Sequence, residues 1–156
     1  MATDAKTGEG IFGRYSAGIH NVGSYQSSGW PFITGSNIPD KAERNIKFPM
    51  VTKSLTLIAS GTFSAGECLR LHFATTGTAA DTATGGTVIR GHHYITLDSH
   101  QDSVTLNVKC KECFVTAQGG DNGFELYAEL TNIPTSSMFA LTGAGVTEYP
   151  GGYWGY

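Results

Sequence analysis

The chain is short of charge. Of its 156 residues only 15% are Asp, Glu, Lys or Arg, against about 25% in an average globular protein. No two basic residues are adjacent and the formal net charge is −3. A protein that grips phosphates presents a basic face, so nucleic acid is not expected as a partner. Cysteine is scarce and odd in number, three in all, which argues against a disulfide framework and for thiols kept reduced in a cytosol. The absence of any Asn-x-Ser/Thr sequon agrees. No apolar run approaches the roughly 20 residues of a membrane-spanning helix, and the first ten residues are polar, without the apolar stretch of a secretory leader. Neither a membrane partner nor a leader is expected. Helical periodicity is missing too: no segment keeps a 3.6-residue apolar spacing for two turns.

What the chain has instead is glycine, 21 residues of it, and alternation. Between residues 53 and 59 every second residue is apolar: Leu55, Leu57 and Ala59. The same holds for Leu69, Leu71 and Phe73. Only a strand puts residues two apart on one face, so each run predicts a half-buried strand. The glycine-containing segment 60–66 between them makes the pair an antiparallel hairpin or two sequential strands of a sandwich. Val104, Leu106 and Val108 repeat the pattern, as do Phe124, Leu126, Ala128 and Leu130 opposite Glu125, Tyr127 and Glu129.

Three regions are predicted. Residues 1–29, with six glycines and little periodicity, form an extended N-terminal arm. Residues 30–142 form one all-β domain, an antiparallel β-sandwich of about eight strands with a jelly-roll-like topology. Residues 143–156 are a tail of glycine and aromatics. Within the domain, 30–34 is a short strand whose Pro31 places it at an edge or a strand start. Residues 35–44 are a loop, and a strand begins at 45, with Pro49 marking an edge or break. Residues 75–86 are a small-residue loop. Strands follow at 87–90, 92–97, 103–109, 112–117 and 123–130, and 138–141 is the last. The Gly-Gly and Asn-Gly pairs of 118–123 supply the turn before the penultimate strand.

Candidate chemistry is thin. Cys110 and Cys113 have a metal or redox spacing, but a structural zinc needs four ligands. Cys68, His72, His92, His93 and His100 would have to complete it. Residues three apart on a strand also point to opposite faces. Buried thiols acting as small hydrophobes are the simpler reading. His92 and His93, being adjacent, put one ring inward and one outward on a strand. Glu125 and Glu129 lie about 13 Å apart along a strand, too far for a glycosidase pair at roughly 5–9.5 Å. No serine sits in Gly-x-Ser-x-Gly. No catalytic residues, no metal site and no cofactor are predicted; the protein is not expected to be an enzyme.

The aromatic ends are the candidate interaction residues. Phe12, Tyr15, Tyr25, Trp30 and Phe32 lie in or just after the arm, and Tyr149, Tyr153, Trp154 and Tyr156 lie in the tail. Rings on glycine-rich segments are enriched where proteins meet. Docking onto a neighbouring subunit or partner, folding back onto the protein's own body, and stacking on carbohydrate all stand as readings.

Several segments carry a resemblance. Residues 21–34 (NVGSYQSSGWPFIT) lead into 46–56 (IKFPMVTKSLT), followed by 69–73 (LRLHF), 93–97 (HYITL), 108–112 (VKCKE) and 129–134 (ELTNIP). Over about residues 20–145 the chain resembles small virion proteins of marine tailed phages and related viruses, found as capsid decoration or fibre components. The resemblance implies a β-sandwich protein, a homo-oligomer and in particular a trimer. It further implies a position on the outer surface of the virion, assembly in the host cytoplasm, and the major capsid protein or other virion proteins as partners. Two rivals remain: a carbohydrate-binding module of a phage fibre or tail, with host glycan as ligand of Tyr149, Tyr153 and Trp154, and a hydrolase or metal-dependent enzyme on a jelly-roll frame using His72, His92, His93 and a carboxylate.

Overall fold

Phe48-Pro49 interrupts what would otherwise be one very long strand. Before it lies β2 (Glu43–Lys47) and after it β3 (Met50–Ser60), and the two belong to different sheets. Proline has no N–H to give a ladder, so the chain leaves one sheet and enters the other at this point. The structure, a computed structural model, describes residues 18–20, 22–26, 29–75, 93–139 and 141. Its remaining elements are a single helical turn α1 (Gly23–Gln26), then β1 (Trp30–Ile38), β4 (Cys68–His72), β5 (Ile95–Leu97), β6 (Ser103–Leu106), β7 (Glu112–Gln118) and β8 (Asn122–Pro134). A 3-10 turn, Thr135–Ser137, follows β8.

The strands form two antiparallel four-stranded sheets, in the orders β1-β8-β3-β6 and β2-β7-β4-β5. Every connection between consecutive strands changes sheet except β4 to β5. That is the connectivity of a jelly roll, two Greek keys folded face to face. The predicted fold class is therefore the observed one.

The alternating residues meet between the sheets. Leu55, Leu57 and Ala59 of β3 and Phe124, Leu126, Ala128 and Leu130 of β8 pack from one side. Leu69 and Leu71 of β4 and Cys113, Val115 and Ala117 of β7 pack from the other. Leu57 pairs with Leu126 across the ladder, both essentially sealed from water, and burial of each such side chain is worth about 1.5–3 kcal/mol. A smaller cluster of Val51, Ile133 and Met138 closes one end.

Several expectations are corrected. Of the two readings of residues 53–59 and 67–74 the hairpin falls and the other holds: they are sequential strands of the sandwich, in opposite sheets. Residues 35–38 are not loop: they continue β1, pairing with Asn122 to Glu125 of β8. Glycine and polar residues masked the alternation there, which only Ile38 betrays by burying its side chain. Of residues 138–141 the described ones form no extended strand, Leu141 making only an isolated bridge; Met138 plugs the small cluster, and β8 is the last strand among the described residues. Strand β6 stops at Leu106, and residues 107–111 run on without a ladder because the Thr52 hydroxyl holds them. It accepts from the Cys110 N–H at 3.0 Å and donates to the Val108 carbonyl at 2.7 Å. The expected strand at 87–90 lies outside the described residues, and of 92–97 only Ile95–Leu97 is strand among them. Part of the N-terminal arm is tied down: α1 packs against β8.

Candidate functional site

Three of the six large hydrophobic side chains exposed among the described residues lie on β1 and its neighbour β8: Trp30, Ile33 and Tyr127. Strand geometry explains the placement. Phe32, Thr34, Ser36 and Ile38 alternate inward while Ile33, Gly35 and Asn37 turn out. Phe32 meets Phe48 edge to face, with ring centroids 5.3 Å apart. Ile33 is 77% exposed and Trp30, at the mouth of the strand, 72%. Ile33 stands directly opposite Tyr127, which in turn stands opposite Thr56, and Thr56 opposite Thr105. The row runs from apolar at β1 to hydroxyl at β6, where Thr56 Oγ1 and Thr105 Oγ1 share a hydrogen bond of 2.9 Å. Beside it, Glu129 accepts from Ser54 Oγ at 3.2 Å and lies 3.7 Å from Lys53 Nζ.

The sequence candidates fall into three groups. Trp30 is free on the surface. Phe32 is packed inward, and Tyr25 is also held by the body: its hydroxyl donates to the Ile19 carbonyl at 3.1 Å, and Lys109 Nζ sits 4.5 Å above its ring. Burial raises the Tyr25 pKa. Phe12, Tyr15, Tyr149, Tyr153, Trp154 and Tyr156 lie outside the described residues. Sequence reasoning missed Ile33 and Tyr127. Tyr127 had the right signal, standing on the polar face of β8 between Glu125 and Glu129, and Ile33 was hidden in an apolar run that looked uniformly buried.

The histidine and cysteine candidates serve the interior. Cys110 and Cys113 are sealed within the main core. Burial pushes the Cys110 thiol up to about 11 and the Cys113 thiol well above its ordinary value. His72 lies on the opposite side of the second sheet from that core, buried and stacked at 5.8 Å on Phe114. Its Nδ1 is 2.7 Å from the Ala74 carbonyl and its Nε2 is 2.6 Å from Thr116 Oγ1. A carbonyl only accepts, so Nδ1 carries the proton and the Thr116 hydroxyl donates to Nε2. Burial lowers the His72 pKa, against the pull of the Ala74 carbonyl and of Glu43, with Arg70 adding to the lowering. His93 is half-buried, and His92 lies outside the described residues. Among the described residues no group of three or more His, Cys, Asp or Glu is placed to hold a metal ion, and none of their helices is long and apolar enough to cross a membrane.

At one end of the sandwich a shallow depression of about 330 Å³ opens over Ile58, between Ser60, His100, Gln101, Ser103 and Glu125. Gln101 holds a left-handed backbone, φ 64°, uncommon for a residue with a side chain. Its N–H donates to the Ala59 carbonyl at 2.8 Å, which fixes the loop against β3.

No protein-family model matches the chain, and no curated protein shows significant sequence similarity to it.

Proposed function

We propose that the protein is a non-enzymatic structural component of a virion, a decoration protein that binds the outside of an assembled capsid and stabilises it. The observation that carries this reading is the exposed apolar pair Ile33 and Tyr127, directly opposite each other on the outer face of the β1–β8 ladder, with Trp30 exposed at the start of β1 on the other face. Exposed apolar side chains set side by side on a polar sheet face fit a docking site better than a solvated wall. The jelly roll supports it by analogy, since viral capsid domains recur on this architecture, although a fold alone does not assign function. The buried titratable groups support it too. His72 and the Cys110 and Cys113 thiols are committed to hydrogen bonding and packing. Stabilisation works by mass action: whatever binds the assembled shell and not free subunits lowers the free energy of the shell. Repetition over a symmetric surface multiplies weak contacts by avidity.

The test is to incubate the protein with capsids of the encoding virus stripped of it. Co-sedimentation and a higher melting temperature of the shell are expected; a shell that neither binds the protein nor gains stability removes the proposal.

The depression beside Gln101 favours a second reading, a carbohydrate-binding module of a fibre or tail. Amide, imidazole, hydroxyl and carboxylate groups converge there over an apolar floor, in the size range of small-ligand sites. Binding of host polysaccharide that disappears in Gln101→Ala would establish it over the first.

A further inference from the structure

A sheet edge is a row of backbone donors and acceptors ready to pair with another strand, and proteins blunt such edges with charge or brevity. The four edges of this sandwich differ in how they are protected. Strand β2 carries Glu43, Arg44 and Lys47 among five residues. Strands β5 and β6 are only three and four residues long. Strand β1 spans nine residues, Trp30–Ile38, without one charged side chain. Among the described residues no strand pairs with its outer side. Only Pro31, near its start, interferes with pairing.

We propose that β1 is the strand through which two copies of the protein join, antiparallel and two-fold related, so that four strands of each copy form one continuous sheet. The inference goes beyond the decoration reading and does not depend on it. A second copy fits this edge for two reasons. The strand is electrically neutral, so self-pairing brings no like charges together across the new ladder. The nearest acidic groups on this face, Glu125 and Glu129, sit one strand further in on β8. Across the junction they are three strand spacings apart, about 14 Å, beyond the roughly 8 Å screening length at physiological salt.

The shapes also match. A two-fold axis at Thr34, the middle of β1, sets Ile33 opposite Gly35 of the partner subunit. Gly35 lies on the same outward face as Ile33 and has no side chain to obstruct it. It cannot be replaced cheaply, because an added Cβ would stand 2.7 Å from the Phe124 carbonyl oxygen. Ile33 would then cover the notch above Gly35 of the partner subunit while its outer side stays on the sheet face. Two identical contacts form by symmetry.

The experiment is light scattering on the full chain over a wide concentration range, with Ile33→Lys and Thr105→Lys beside the natural protein. Ile33 is exposed, so its replacement spares the core, and Thr105 is an exposed position on the opposite edge strand β6. The expected result is an even-numbered particle, a dimer or a hexamer of paired trimers, whose mass halves in Ile33→Lys and is unchanged in Thr105→Lys. Backbone amides of β1 should exchange more slowly as concentration rises. A monomer at every concentration, or a mass indifferent to Ile33→Lys, overturns the inference. Failure to bind capsids with a mass that still halves would remove the decoration reading and leave this one standing.

Discussion

His72 Nε2 and Thr116 Oγ1 lie 2.6 Å apart on the side of the second sheet that faces away from the main core, and both residues are sealed from water. The neutral ring satisfies both neighbours, accepting from Thr116 and donating to Ala74. Protonation would oblige the Thr116 hydroxyl to turn and accept, and would place a charge out of water.

The consequence for stability has a definite sign. Because burial lowers the folded pKa of His72, the unfolded chain takes up a proton first as pH falls below its ordinary value of about 6.5. Stability from this residue is present above that pH and is lost as pH drops toward the folded value. Urea midpoints should fall between pH 7.5 and 5.5 in the natural protein. The decline should flatten in His72→Gln, which keeps polarity but does not titrate. An equal decline in both would refute the assignment.

Thr52 should be intolerant of losing its hydroxyl. In Thr52→Val the buried Cys110 N–H and Val108 carbonyl each lose a partner, at a cost of about 1–3 kcal/mol. Thr52→Ser keeps the oxygen and should recover most of it. Denaturant titration of the three proteins decides.

The thiols of Cys110 and Cys113 should be unreactive in the native state, since only the thiolate attacks and burial raises both pKa values. Counting thiols with a chromogenic disulfide at pH 7 should give at most one equivalent, from Cys68, and all three only in denaturant. Rapid native labelling of Cys110 or Cys113 would contradict the packing described.

Gly119 and Gly66 both have positive φ, 86° and 90°, but only Gly119 is crowded: an added Cβ would lie 2.6 Å from the Gly66 carbonyl oxygen. Gly119→Ala should therefore cost more than about 1 kcal/mol and more than Gly66→Ala, which meets nothing within 4 Å. Melting curves of the two variants would rank them.

Much of the fold was legible because one face of each strand is buried. The period-two pattern of Leu55, Leu57 and Ala59, or of Phe124 to Leu130, can be satisfied only by a sheet with a wet side. The pairing was not legible. Strands β3 and β4 look like a hairpin locally, and only the sum of all eight strands sends them to opposite sheets. The second half of β1, Gly35-Ser36-Asn37, has loop composition and is strand because β8 offers it a ladder. The exposed apolar residues of the proposed docking reading were half legible. Trp30 was evident as an exposed ring on a short strand, whereas Ile33 became a surface residue only once the register fixed which side of β1 faces Tyr127.

The order of strands also governs how the molecule is made. Strand β8 lies between β1 and β3, and β7 lies between β2 and β4. These two strands, the last in chain order among the described residues, join β1 and β2 to the rest of their sheets. Before they emerge, a nascent chain can pair, among the described strands, only β3 with β6 and β4 with β5, and it cannot seal its core until β7 and β8 have both been made. Closure of the sandwich is accordingly deferred until both strands are available. It is slowed by the long loops that must close, and a product cut short before β8 should be cleared rather than assembled.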